Sequence, residues 1–159
     1  MRVGILFGSR SDVEMMRGAA RCLEDFEIPW EAHILSAHRV PEELEHQLEL
    51  MMERGVKVFI CGAGLAAHLP GVVASKTVLP VIGVPLSAKL NGMDALYSMV
   101  QMPKPIPVAT VGIDNAFNAG MLAVQMLALG DNDLSRRLVE WRERMRDEFI
   151  ADNGGGVEL

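Results

Sequence analysis

Five short runs of this chain are apolar almost without interruption, and each is followed by a stretch with helical periodicity. The runs are RVGILF (2–7), WEAHIL (30–35), VKVFICG (56–62), PVIGVP (80–85) and IPVATVG (106–112). A strand with one wet face alternates apolar and polar residues, whereas an unbroken apolar run is buried on both faces. The stretches 12–27, 41–54, 69–77, 93–101 and 114–130 supply the coverings. Strictly alternating strands and helices predict an α/β fold with a parallel sheet packed between helices. The 159 residues suit a single domain, with a core over about 2–130.

The punctuation agrees with this division. Ser11 or Asp12 can cap the first helix, and Met15, Met16, Ala19, Ala20, Leu23 and Phe26 recur along it at helical spacing. Pro41 opens the second helix and Gly55 stops it, while Pro85 ends the fourth strand. DNAFNAGMLAVQMLALG (114–130) is rich in small residues, which permits close helix contact. A last helix over about 132–152 carries Leu138, Trp141, Met145 and Phe149 on one side. That much apolar surface predicts docking on the body or on a neighbouring subunit. From 153 the chain reads as a flexible tail. Methionine occurs 11 times, either as adaptable packing at contacts or as core filler.

Charge and cysteine usage narrow the function. Net charge is −6 with no basic stripe, which argues against nucleic-acid binding. Cys22 and Cys61 form neither a CxxC nor a metal pattern and read as reduced, buried thiols of a cytoplasmic protein. No run has the length of a signal peptide or a membrane span, so no membrane association is expected. No His, Cys, Asp and Glu set has ligand spacing, so neither a metal nor a cofactor is expected.

Ligands of parallel sheets bind beyond the carboxyl ends of the strands. The loops there are GSRSD, SAHRVP, GAGLAAHLPG, PLSAKLNG and GIDNAFNAG. GSRSD (8–12) offers Ser9 and Ser11 hydroxyls with free N–H groups at a helix start. It reads equally as a phosphate cradle and as a plain capping turn. Asp12 suits hydroxyls, such as those of a ribose, better than phosphate. In SAHRVP (36–41), Ser36 and Ala37 precede His38 and Arg39. Arg39 can grip a phosphate in bidentate fashion, which leaves His38 beside whatever the phosphate carries. In GAGLAAHLPG (62–71), Gly64, Ala66 and Ala67 leave room for a carboxylate or small neutral molecule. His68 either contacts that ligand or caps the next helix. His33 and His46 are read as packing or surface residues. Residues 86–92, LSAKLNG, are read as a flexible loop.

In this order, GSRSD, SAHRVP, GAGLAAHLPGVVASKTVLPVIGVP, GMDALYSMVQMP and IPVATVGIDNAFNAG resemble the carboxylase/mutase family of purine biosynthesis that makes 4-carboxy-5-aminoimidazole ribonucleotide. The resemblance covers roughly residues 2–145. It implies a flavodoxin-like three-layer αβα sandwich with a five-stranded parallel sheet. It also implies a homo-octamer whose last helix docks on a neighbouring subunit. The family has a mutase branch, which moves a carboxylate from N5 to C4 of the ribonucleotide, and a carboxylase branch, which adds free CO2 at C4. AAHLPG resembles the mutase branch. Two positions depart from that pattern: Leu65 stands where a second glycine is usual, and Val13 where Trp is common. By matching positions, Ser9 and Arg39 are expected to hold the phosphate, Asp12 the ribose and His38 to act as general acid/base. Ser11, Ser36, Gly64, Ala66, Ala67 and His68 complete the expected substrate contacts. The implied partners are a nucleotide-monophosphate-like substrate and, as a functional link, the ATP-dependent N5-carboxylating synthetase.

Overall fold

The structure, a computed structural model, describes residues 2–156. Its strands are β1 (Arg2–Phe7), β2 (Trp30–Ile34), β3 (Val56–Gly64), β4 (Val81–Leu86) and β5 (Ala109–Thr110). Its α-helices are α1 (Val13–Asp25), α2 (Pro41–Glu53), α3 (Leu69–Lys76), α4 (Met93–Val100), α5 (Ala116–Ala128) and α6 (Asn132–Asn153). The five strands form one parallel sheet in the order β2-β1-β3-β4-β5. This is the expected flavodoxin-like α/β fold.

Side-chain alternation divides the core in two. Val3, Ile5 and Phe7 of β1, with Val58 and Ile60 of β3 and Ile82 and Val84 of β4, face α1 and α5. Leu6, Phe59, Cys61 and Val81 face α2, α3 and α4. Among the described residues, no polar or charged side chain is buried. Burial pushes the Cys22 thiol up to about 12, and it raises that of Cys61 as well, so both stay protonated.

Three glycines let helices approach the sheet closely, and a methionine fills each notch. A Cβ on Gly4 would meet Met51 Cε at 2.6 Å, and one on Gly83 would meet Met99 Sδ at 2.9 Å. A Cβ on Gly62 would fall onto the Met16 sulfur. The core role of methionine is thus specific: an unbranched, bendable side chain occupies the groove a missing Cβ leaves. The small-residue face of α5 packs on α1 in the same way, since a Cβ on Gly120 would meet Cys22 Cβ at 2.7 Å.

Several boundaries differ from expectation. β2 is not covered on both faces: Trp30 and Ile34 are exposed while Glu31 and His33 are half-buried, as suits an edge strand. β5 is reduced to Ala109–Thr110 because Pro103, Pro105 and Pro107 remove donors just before it. β4 continues through Pro85 to Leu86, because a proline one residue from a strand end forgoes only one ladder bond. Asp12 occupies the N-cap position of α1 without a side-chain capping bond; Ser9 instead caps a preceding 3-10 turn, accepting from Ser11 N. Gly55 does end α2, at φ +88°. Leu134, Leu138 and Trp141 of α6 pack on the body, with Trp141 against Phe26 and Phe117. Further along α6, Met145, Phe149 and Ile150 are exposed. α6 runs through Asn153, into the expected tail, and residues 157–159 of that tail lie outside the described residues.

The edge strand is held by a polar cluster. Arg54 donates to both Glu31 oxygens, at 3.2 and 2.6 Å, and His33 Nε2 lies 3.2 Å from Glu31. The Arg54 guanidinium, with help from His33, holds the Glu31 carboxyl below the ordinary carboxylate range against the opposing effect of partial burial. A depressed carboxyl stabilises the fold above its unfolded-state titration, and that stability is lost as pH falls through the folded one. Urea midpoints measured from about pH 7 down to about pH 3 will therefore drop less steeply on the acid side in Glu31→Gln than in the wild type. Gly62→Ala is expected to cost about 1–3 kcal/mol in urea denaturation, and adding Met16→Ala is expected to cost less than the sum of the two single changes.

Candidate functional site

The strand order places a fork at the carboxyl edge of the sheet. From β1 the chain turns to α1 on one face, and from neighbouring β3 it turns to α3 on the other. The two loops part there and leave a crevice, the usual ligand position in such sheets. A cleft of about 430 Å³ occupies it, within the range of small-molecule sites. Its walls come from four loops: Gly8–Asp12, Ser36–Arg39, Ala63–Leu69 and Leu86–Ala88.

Every residue singled out for a site lines this cleft: Ser9, Ser11, Asp12, Ser36, His38, Arg39, Gly64, Ala66, Ala67 and His68. His33 lies away from it, bonded to Glu31 and Gln47, and His46 is exposed on α2. Sequence reasoning did not single out Ser87 and Ala88 as wall residues. Their signal was positional, since they directly follow the fourth strand.

The polar groups of the loops after β1 and β2 are interlinked. Arg39 donates from Nε to Ser36 Oγ at 3.3 Å and from Nη2 to the Gly8 carbonyl at 3.2 Å. The guanidinium thereby ties the loop after β2 to the loop after β1 and keeps further N–H donors for a ligand. Ser11 Oγ lies 2.9 Å from Ser9 Oγ and 3.1 Å from Asp12 Oδ1. With no capping bond to make, the Asp12 carboxylate is left to accept from the cleft. Serine hydroxyls, a guanidinium and a carboxylate thus stand side by side, a set suited to a sugar phosphate.

Two imidazoles line the same cleft. His38 Nε2 is 2.7 Å from His68 Nδ1, and the rings meet edge to face at 70° with centroids 4.7 Å apart. One nitrogen must donate and the other accept, so each ring sets the tautomer of the other. Of the two readings of His68, the structure does not show the cap: it stands at the N-cap position of α3 but makes no side-chain capping bond. Beside the pair, Leu65 and Ala67 hold φ of +56° and +35°. A left-handed non-glycine residue costs about 1–2 kcal/mol, so this loop stores strain next to the imidazoles. Leu65 keeps the backbone turn that a glycine would adopt freely, and it lines the cleft while 53% exposed.

Among the described residues, no group of three or more His, Cys, Asp or Glu side chains is placed to hold a metal ion, and no helix is long and apolar enough to cross a membrane.

Known proteins are similar to this chain in sequence and fold. A family model for AIR carboxylase matches residues 2–148. An N5-carboxyaminoimidazole ribonucleotide mutase from Pyrococcus abyssi is 52% identical over 159 residues, covering 99% of this chain and 91% of the relative. A Bacillus subtilis protein of the same name is 52% identical over 154 residues, covering 95% of each. The crystal structure of Treponema denticola PurE superimposes with a TM-score of 0.87 at 29% identity over 96% of both chains. A match along nearly the whole length, on a sheet whose fork gathers these four loops, means that the chain belongs to the AIR carboxylase family.

Proposed function

We propose that the protein is a mutase of de novo purine biosynthesis, converting N5-carboxyaminoimidazole ribonucleotide to 4-carboxy-5-aminoimidazole ribonucleotide. The observation that carries the reading is the His38–His68 pair lining one cleft together with Ser9, Asp12 and Arg39. The relatives that are 52% identical over almost the full chain bear the same activity in their names.

The chemistry assigns each wall a task. Arg39 and Ser9 hold the phosphate and Asp12 accepts from the ribose hydroxyls, with Ser11 and Ser36 completing that shell. This lays the aminoimidazole toward His38. The N5 carbamate loses CO2 as its N–C bond breaks, and N5 takes up a proton. C4 then bonds to the same CO2 and sheds its own proton, which restores the aromatic ring. The proton gained at N5 equals the proton lost at C4, so one acid/base group serves both steps. His38 fits that task, and His68 orients it and shares the proton. Gly64, Ala66 and Ala67 surround the freed CO2 with small side chains and main chain. Holding CO2 beside C4 replaces a bimolecular encounter with a local one, and that advantage disappears if the gas escapes.

The protein acts in the cytoplasm, downstream of the ATP-dependent synthetase that carboxylates N5, and works as a homo-oligomer, an octamer. The exposed Met145, Phe149 and Ile150 of α6 support a subunit contact there.

His38→Asn is expected to lower kcat by at least about 10²–10⁴-fold with an unchanged melting temperature. Turnover near the wild-type rate would remove His38 from the mechanism. Offering purified protein the N5-carboxylated ribonucleotide, or the uncarboxylated one with bicarbonate, separates mutase from carboxylase. Product formed from the first at much lower concentration is expected; product from the second alone would overturn the assignment.

A further inference from the structure

The fourth wall of the cleft, formed by Leu86, Ser87 and Ala88, is held from outside the cleft. Asp114, in the loop after β5, is not among the wall residues, yet its carboxylate grips Ser87 twice. Ser87 N donates to Asp114 Oδ1 at 2.8 Å, and Ser87 Oγ donates to Asp114 Oδ2. Asp114 is itself fixed: its N–H donates to the Pro85 carbonyl at 2.9 Å, and it adopts φ +57°. A second contact secures the far end of the same loop. Leu90, Asn91 and Gly92 follow one another at positive φ, turning the chain back into α4. Gly92 is buried so closely that a Cβ would meet Ile113 Cγ2 at 2.7 Å. Ile113 and Asp114 thus pin both ends of the loop.

The pinned wall touches the small-residue loop. A Cβ on Gly64 would meet the Leu86 carbonyl at 3.1 Å and Ala88 Cβ at 3.7 Å. Moving Ser87 therefore opens space beside Gly64 but leaves Ser9, Asp12 and Arg39 untouched on the other loops. We infer that Asp114 is a positioning residue that acts through Ser87 to keep the Gly64 side of the cleft closed while the carboxyl group is in transit. This rests on the proposed mutase reaction. Its consequence is separable from substrate binding: a loosened wall releases CO2 and uncarboxylated ribonucleotide instead of product.

The test gives purified wild type, Asp114→Ala and Asp114→Asn the N5-carboxylated ribonucleotide, and measures kcat, KM and the share released as uncarboxylated ribonucleotide. Amide exchange at Ser87 is followed in parallel. In Asp114→Ala, kcat is expected to fall by about ten- to a hundredfold with KM nearly unchanged, a larger released share and faster exchange at Ser87. Asn keeps one acceptor for Ser87 N and offers an N–H₂ to its hydroxyl, so Asp114→Asn is expected to recover most of the rate. If Asp114→Ala does not fold, Ser87→Ala removes half of the grip and is expected to show the same direction. A folded Asp114→Ala, or in its place Ser87→Ala, that keeps wild-type kcat and released share overturns the inference and leaves the proposed function intact. A wild type that makes no product overturns both.

Discussion

A parallel sheet brings all its strand ends to one edge, and this molecule depends on where the chain parts along that edge. Because β1 feeds a helix on one face and β3 a helix on the other, the loops after them cannot pack together. The crevice is a consequence of topology, present before any side chain is chosen. What the side chains add is closeness. Gly62, near the carboxyl end of β3, lets Met16 of α1 lie against the sheet, and Gly4 does the same for Met51 of α2. These contacts set the helix layers near the sheet, so the loops at the fork stand within hydrogen-bond reach of one another.

Stability and function are divided along the strand axis. The body is dry, with no buried polar or charged side chain among the described residues. At the carboxyl edge the backbone leaves favourable territory: Leu65, Ala67, Leu90, Asn91 and Asp114 all have positive φ. They lie in the loops after β3, β4 and β5, and those after β3 and β4 supply two walls of the cleft. Strained loops persist only where their surroundings over-determine them. Here the dry core fixes both ends of each loop, and bonds between loops, such as Ser87 to Asp114 and His68 to His38, hold the stretch between.

Much of this could be read from residues alone. β1, β3 and β4, buried on both faces, appear as unbroken apolar runs, and the loops after them were marked by their position at strand ends. The edges were harder. WEAHIL resembles a buried strand in composition, but Trp30 and Ile34 are exposed and alternate with half-buried Glu31 and His33, because β2 is an edge strand whose outer side is left uncovered among the described residues. Three prolines shortened β5 without disturbing its apolar character. Contacts across the sequence were illegible for a different reason. His38 and His68 are 30 residues apart, and Ser87 and Asp114 are 27 apart. Ser87 meets Asp114 because adjacent β4 and β5 end side by side, and His38 meets His68 because the loops after β2 and β3 reach each other past β1, which lies between those strands; no local pattern encodes either. That His68 meets His38 and makes no capping bond was hidden for the same reason.

The central claim is that a sugar phosphate anchored at the β1 and β2 loops lays its heterocycle across the imidazole pair. A crystal structure with the bound ribonucleotide tests it most directly. The account predicts phosphate oxygens on Ser9 and Arg39, ribose hydroxyls on Asp12, and the ring carbon C4 about 3–3.5 Å from the His38 imidazole. A phosphate bound elsewhere, or a ring stacked out of reach of His38 with the two imidazoles still bonded to each other, would contradict it.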